Sequence, residues 1–194
     1  MDSQKSITKF PMDNLIAPEL EQSVCIRCGF CCDGTLFQHA HLNEGERGAL
    51  PVEIEKASFS EGGRDYFRLP CRYFSGKCTI YDRQRAYVCG SYRCQLLKDL
   101  SDGMVTSEVA HETVLRAHEI RRGIISDFRR LTRSNKRLYF RQVLTELGKL
   151  QKSSAVNQLT GEFMNILIAR CNIFEALLIR HFRSADDFEK LIMK

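Results

Sequence analysis

The chain has 194 residues, enough for one sizeable domain, and its 43% hydrophobic and 27% charged residues exclude wholesale disorder. No apolar run approaches the roughly 18 residues that a membrane-spanning helix needs, so the sequence predicts no membrane association. The first twenty residues lack the apolar core of a secretory signal, so we expect a cytoplasmic protein whose thiols stay reduced. The net charge of +5 lies mainly in residues 99–194 and favours an acidic partner for that half.

The first half of the chain is predicted to contain short, irregularly connected elements. Residues 1–21 should form an irregular lead-in, because two of the four prolines lie there. The alternation in Thr35–Leu42 predicts a short strand. A helix is expected to start near Asn43 or Pro51, and a loop should lead from it to a second short strand at Tyr66–Leu69. The segment that follows, up to residue 98, is predicted to be mostly loop and turn.

The second half is predicted to be helical, because it contains no proline and its apolar residues recur at helical spacing. One helix is expected over Glu108–Leu131, and a second helix should be capped by Asn135 and run to about Leu150. A strongly apolar third helix is predicted at 158–181. Ser184, with Asp187 three residues on, has the pattern of an N-cap that opens a short final helix.

These elements predict an α+β fold in two parts after the lead-in. Residues 22–98 should form a small, irregular, cysteine-rich metal-binding module. Residues 99–194 should form a three- to four-helix extension that follows the module or packs on it.

Eight of the nine cysteines lie in two dense groups within the first part. Thiolates at two-residue spacing can converge on one metal ion, because a tight turn brings both sulfurs to one side. Disulfides fit poorly with an odd number of cysteines in a cytoplasmic chain. The sequence therefore predicts eight metal ligands, which are Cys25, Cys28, Cys31, Cys32, Cys71, Cys78, Cys89 and Cys94.

The spacing leaves the identity of the metal open between zinc and an iron–sulfur cluster. C-x2-C-x2-C is the spacing with which ferredoxins hold three corners of a [4Fe–4S] cluster, but here Cys32 follows directly. Adjacent cysteines in extended backbone point in opposite directions, so Cys31 and Cys32 should serve different metals, or one of them should bridge two. Two four-cysteine zinc sites, one cluster with one zinc, and a dinuclear centre all remain possible.

Positive charge around the second cysteine group supports a metal-thiolate interpretation. In residues 71–98 six cations face the single acid Asp82. Cations near thiolates lower the thiol pKa and stabilise the metal-bound form. The six are Arg72, Lys77, Arg83, Arg85, Arg93 and Lys98.

Three cysteine-containing runs together resemble a known bacterial family. They are C-I-R-C-G-F-C-C from Cys25, P-C-R-Y-F-S-G-K-C-T-I-Y from Pro70, and C-G-S-Y-R-C from Cys89. Over residues 22–98 they resemble the YkgJ-type CxxCxxCC family, which is described as chelating zinc or iron. The resemblance implies metal-ligand roles for the same eight cysteines. The chain departs from the family pattern at Ala86, where a proline is usual, and at Gly90, where an arginine is usual.

A similar cluster occurs in flagellin lysine methylases, where it is thought to hold an iron–sulfur centre. This sequence shows no glycine-rich nucleotide loop of the expected kind, so methylation does not carry over from the resemblance. Whether the chain is an enzyme is left open. The preferred interpretation is a metal-binding protein, and the alternative is a metal-dependent redox or modification enzyme with an iron–sulfur centre.

Four histidines are weaker candidates for metal ligands. His39 and His41 should share one strand face near the first cysteine group, where a supporting or surface role is favoured because eight thiols suffice. His111 and His118 should share one helix face beside several glutamates, a pattern common on solvated helices. Cys171, far from both groups, is expected to be a core thiol.

A basic stripe at residues 116–141 carries nine cations against Glu119 and Asp127. We expect it to contact a protein partner, with nucleic acid as the weaker alternative because few aromatic residues are interleaved. A solvated helix face without a partner is the competing interpretation. Five of the cations, if they project together, would form the contact patch, and these are Arg122, Arg129, Arg133, Lys136 and Arg137.

Overall fold

The computed structural model describes residues 19–152 and 158–183. Within these ranges the chain forms seven helices and one three-stranded antiparallel sheet, so the predicted mixture of helices and strands is confirmed. The elements in chain order are α1 Glu19–Cys28, β1 His39–Leu42, α2 Val52–Ala57, β2 Ser58–Glu61, β3 Arg64–Arg68, α3 Tyr87–Ser91, α4 Gln95–Ser101, α5 Ser107–Thr132, α6 Phe140–Lys152 and α7 Gln158–Phe182. The final helix predicted to open at Ser184 lies outside the described residues. No helix in the described ranges is long and apolar enough to cross a membrane.

The sheet has the strand order β1-β3-β2, and β2 and β3 form a hairpin through Gly62 and Gly63. Both glycines have positive φ, which the tight turn requires and which glycine adopts without strain. β1 is shorter than the strand predicted at Thr35–Leu42, and β2 replaces part of a predicted loop. β2 shows no alternation of large apolar residues from which a strand could be predicted, because Phe59 is its only one.

A small core lies beneath the sheet. Leu42 and Phe67, from β1 and β3, are 1% and 2% exposed, and Ile54 of α2 packs against them. Ile80 and Ala86 complete the cluster from the segment that carries the second cysteine group. The second group is therefore attached to the sheet through apolar contacts.

The first helix is a correction to the predicted irregular lead-in, because α1 begins at Glu19. Glu19 and Glu21 lie in its first turn, where negative charge is favourable to the helix dipole. α1 packs on α4 and α5. Residues 1–18 lie outside the described ranges.

The two long helices predicted from periodicity are confirmed as α5 and α7, which pack against each other. The expected cap at Asn135 is wrong, because α5 ends at a left-handed Arg133 and α6 begins only at Phe140. The Gln142 side chain accepts a hydrogen bond from the Tyr139 N–H at 3.0 Å and so satisfies a backbone donor at the start of α6.

One large core joins the first part of the chain to the helices. Val24, Phe30 and Leu36 are at most 1% exposed and belong to the same cluster as the buried faces of α5, α6 and α7. The Phe30 ring packs edge-on against Phe182, with centroids 5.1 Å apart. The first cysteine run is therefore anchored in the helical core by the phenylalanine it contains.

Candidate metal centre

All eight clustered cysteines line one cavity of about 280 Å³. One water molecule needs only ~10–15 Å³ of such space, so the cavity has room for more than one ion or for a cluster. The described residues around the sulfurs are mostly apolar or aromatic, and Arg85 is the only Lys, Arg, Asp or Glu among them. The structure therefore brings together the two groups that are separated by about forty residues in sequence.

The last turn of α1 positions the first two cysteines. Cys25 and Cys28 are three residues apart in the helix, so both lie on the same side. The predicted tight turn at this spacing is therefore a helical turn. Gly29 follows with φ +62°, and a Cβ added to it would lie 2.2 Å from Cζ of Phe74. A side chain at this position is excluded both by the backbone conformation and by the Phe74 ring.

The next two cysteines lie in the turn after α1, where the Asp33 N–H donates to the Gly29 carbonyl at 2.9 Å. The two thiols have different neighbours. Cys31 interacts electrostatically with Cys28 and Cys94 as well as with Cys25 and Cys32. Cys32 interacts with the thiols of Cys25, Cys71, Cys78 and Cys89.

The second cysteine group reaches the first through a backbone hydrogen bond. The Cys71 N–H donates to the Cys32 carbonyl at 2.7 Å. Cys78 forms an isolated bridge with Phe74, so a short loop carries both Cys71 and Cys78 to the cavity. The last two cysteines are positioned by helices within the segment predicted as mostly loop and turn. Cys89 belongs to α3, and Cys94 directly precedes α4 as its N-cap.

Burial raises the pKa of thiols that line the cavity, namely Cys25, Cys28, Cys31, Cys32, Cys71, Cys89 and Cys94. For Cys94 it raises the pKa to about 11. Neighbouring thiols add to the rise, whereas the Phe30 N–H opposes it at Cys28. The Tyr73 N–H opposes the rise at Cys71 in the same way. Thiolates at these positions therefore require a compensating cation in the cavity.

Solvent reaches one side of the cavity. Cys25 and Cys89 are exposed, whereas Cys94 is 9% exposed. Crowding by surrounding atoms nevertheless raises the pKa of Cys89 to about 12, and Arg85 opposes that rise. The cavity therefore opens at Cys25 and Cys89 and is closed at Cys94.

The eight thiols have the chemistry of metal ligands, but their arrangement in this structure is not that of a metal site. Sulfur-rich sites select zinc, copper(I) or iron–sulfur clusters. Within residues 19–152 and 158–183, no group of three or more His, Cys, Asp or Glu side chains is arranged to hold a metal ion. The eight cysteines share a cavity but are not in a metal-binding arrangement in this structure.

Only one of the six cations near the second cysteine group lines the cavity. The Arg85 guanidinium lies 4.2 Å from the centre of the Tyr81 ring and opposes the rise in the Cys25 pKa. Arg93 instead pairs with the buried Glu21 at 2.5 Å. Of the six cations, Arg85 is therefore the one positioned to stabilise thiolates in the cavity.

The histidines make contacts that account for them without a metal. His39 and His41 border the cavity, but both rings pack edge-on to Tyr66. His111 Nε2 lies 3.3 Å from Ser23 Oγ, and His118 Nε2 lies 3.2 Å from the Arg27 carbonyl. His111 and His118 therefore connect α5 to α1. Cys171 is 1% exposed in the main core and is not among the residues that line the cavity.

A larger basic groove of about 1190 Å³ lies beside the cavity. One wall is formed by α5 and the segment that leads to α6, and the other by α2 and the loop around Cys71. Cys71 and Phe74 line both the cavity and the groove. The cations of the groove are Lys56, Arg68, Arg72, Arg121, Arg122, Arg129 and Arg137.

The cavity supplies sulfur and the adjacent groove supplies positive charge. The sequence predicted a shared surface only for the groove cations that belong to the basic stripe, because Lys56 and Arg68 lie in short elements far from the stripe in sequence. Arg72 was the one further groove cation that the sequence indicated, because it directly follows Cys71.

Comparisons of the chain with protein-family models, with curated proteins and with solved structures find no match.

Proposed function

We propose that this chain is a cytoplasmic metal-binding protein that holds zinc or an iron–sulfur cluster through its eight clustered cysteines. Its helical part contacts a partner through the basic stripe. A relationship to the YkgJ-type family belongs to the same proposal and is supported by the three cysteine-containing runs.

One observation carries the proposal: eight thiols from the three cysteine-containing runs line a single cavity. Small hydrophobic residues would serve equally well if the cavity were merely part of the core. Each of the three runs instead supplies thiols, which bind metals as thiolates. Backbone N–H groups directed at sulfur, among them those of Phe30, Tyr73 and Leu97, favour the charged form that binds metal.

The electrostatic neighbours support a division of the thiols into two sets. Cys28, Cys31 and Cys94 form one set, which we call the closed end because Cys94 is buried. Cys32, Cys71, Cys78 and Cys89 form the other set, which we call the open end because Cys89 is exposed. Cys25 interacts with members of both sets and can complete the first set as a fourth ligand or bridge the two. The adjacent Cys31 and Cys32 thus serve different sets.

Anaerobic purification with metal and acid-labile sulfide analysis tests the proposal. A colourless protein with about two zinc ions per chain is expected for two four-cysteine sites. A brown protein with stoichiometric sulfide is expected for a cluster. Cys28→Ser should lower the metal content, whereas Cys171→Ser replaces a buried thiol outside the cavity and should not.

Metal removal provides an independent measurement. The binding free energy of such sites is folding free energy, so chelation should lower the Tm and loosen residues 25–98 in hydrogen exchange. A chelated protein that keeps its Tm and its exchange protection would contradict the proposal. Metal content that is unchanged in Cys28→Ser would contradict it as well.

A redox or modification enzyme is the second candidate, and the position of Cys71 favours it. Because Cys71 lines both the cavity and the basic groove, a molecule bound in the groove would lie next to the metal centre. This candidate requires an iron–sulfur centre that can change its oxidation state. Reversible bleaching by dithionite is the expected result, and a colourless zinc protein would rule the candidate out.

A further inference from the structure

The basic groove contains more positive charge than the protein itself neutralises. Its two acids are Asp33 and Glu53, which pair with Arg121 and Lys56. The remaining five cations of the groove have no carboxylate partner among the described residues. They are Arg68, Arg72, Arg122, Arg129 and Arg137.

Four of the nine cations of the basic stripe are paired within the protein, and five have no carboxylate partner among the described residues. Arg121 pairs with Asp33, Arg130 with Asp127, and Arg116 with Glu112, while Arg141 donates to the Leu36 carbonyl. The other five are the cations predicted to form a contact patch. Of these, Arg122, Arg129 and Arg137 line the groove, whereas Arg133 and Lys136 are exposed and are not among its lining residues.

The second wall adds cations that the stripe does not contain. Arg72 follows Cys71 directly and is exposed. Arg68 is also exposed, and its guanidinium lies 4.7 Å from the centre of the Phe59 ring. A ligand in the groove is therefore flanked by arginines from both parts of the fold.

One groove residue has an unsatisfied donor. Arg129 Nε is shielded from solvent and has no hydrogen-bond partner among the described residues. A buried donor on a charged group is unfavourable unless it is paired. The Arg129 guanidinium is therefore incompletely paired among the described residues, and the planar fork of a guanidinium matches a carboxylate or phosphate.

The shape and lining favour a polypeptide over other anions. The groove exceeds the ~300–1,000 Å³ of typical small-molecule pockets, so it suits an extended ligand. Single-stranded nucleic acid relies on aromatic rings for stacking. Three aromatic residues line the groove among the described residues: Phe140 is 1% exposed, the Phe74 ring lies against Gly29, and Arg137 lies beside the Tyr139 ring. The apolar Ile125 and Leu138 lie between the cations and suit peptide side chains.

We infer that the basic groove binds an acidic segment of a partner polypeptide, with Asp or Glu side chains on the arginines and apolar side chains between them. This inference deepens the proposed contact with a partner and rests on it. The proposed metal centre lies next to this interface, because Cys71 lines both the cavity and the groove. The charge complementarity between groove and partner does not require the metal. The bound segment lies against the wall of the cysteine cavity.

The experiment is a fluorescence-anisotropy titration of the metal-loaded full chain with a peptide that alternates Glu and Leu. The double reversal Arg122→Glu/Arg137→Glu should weaken binding by about tenfold or more. Arg133→Glu/Lys136→Glu makes the same charge change outside the groove and should weaken binding by less than about twofold. A peptide with Gln in place of Glu should not bind, and added salt should weaken binding of the Glu peptide.

Three results would overturn the inference. They are the absence of binding at low salt, equal losses in the two double variants, and binding of a single-stranded oligonucleotide in preference to the acidic peptide. Metal analysis of the same samples separates this inference from the proposed metal centre. A chain that is fully loaded with metal but does not bind the peptide contradicts the groove inference alone. A chain that binds the peptide but holds no metal after anaerobic purification contradicts the metal centre alone.

Discussion

Arg121 on α5 forms a buried ion pair with Asp33, the residue directly after the last cysteine of the first group. The two side chains are 18% and 9% exposed. Arg121 also donates to Thr35 Oγ1 at 2.9 Å, and its guanidinium lies 4.9 Å from the centre of the Phe30 ring. The turn that carries Cys31 and Cys32 is thereby held against the helical part of the chain.

Removal of Arg121 should destabilise the protein strongly. Arg121→Ala leaves the buried Asp33 charge unpaired, which costs about 3–5 kcal/mol in the free energy of unfolding. Arg116→Ala removes an exposed pair with Glu112 on the same helix and should cost less than about 0.5 kcal/mol. Urea unfolding of both variants measures the difference. Similar costs for the two substitutions would contradict a structural role for the pair.

Gly29 should tolerate no side chain. Gly29→Ala combines a left-handed backbone with the 2.2 Å approach to Phe74 and should cost about 2–5 kcal/mol. Gly45 also has positive φ but has nothing within 4 Å, so Gly45→Ala should cost only about 1–2 kcal/mol. Thermal unfolding compares the two. Adding Phe74→Leu to Gly29→Ala should recover part of the loss, and no recovery would contradict the steric explanation.

Cys31 and Cys32 should contribute to different metal ions if zinc is bound. Cys31→Ser should lose the ion at the closed end and keep Cys71 and Cys89 protected from alkylation. Cys32→Ser should lose the ion at the open end and keep Cys94 protected. Metal analysis with mass-spectrometric mapping of alkylated thiols distinguishes the two. Complete loss of metal from both variants would indicate one bridged centre instead.

Cys171 should make a stabilising contribution that depends on pH. Burial, with a smaller effect of Glu175, raises the pKa of this core thiol to about 11, against ~8.5 in an unfolded chain. Below ~8.5 the thiol is neutral in both states and its contribution is fully present. At higher pH the unfolded state releases the proton first, so the contribution falls until the pH passes about 11.

The measurement is the stability of the wild type minus that of Cys171→Ala, in urea, at several pH values. The difference should be largest below ~8.5 and should shrink towards pH 11. Because both proteins carry the same other titrating groups, their effects cancel in the subtraction. A difference that stays constant with pH would contradict the shifted pKa of Cys171.

Local patterns were sufficient for the long helices and for the candidate ligands. α5 and α7 were predictable because their apolar residues recur over many turns, and the repeat itself decides which face is buried. The eight cysteines were selected because thiols at two-residue spacing are typical of metal sites, and their role as ligands stays a prediction. The short elements were not predictable in this way, since β2 and α3 are too brief to show a repeat.

The sequence by itself determined which residues are thiols, where the long helices lie and where positive charge is concentrated. Only the tertiary structure decided that the two cysteine groups share one cavity, that Asp33 pairs with Arg121, and that Arg72 faces the same groove as Arg122. The physical reason is the range of the interactions. Helical spacing and thiol spacing are set by neighbours along the chain, whereas these three contacts depend on how Phe30 and the first cysteine run pack against the helices.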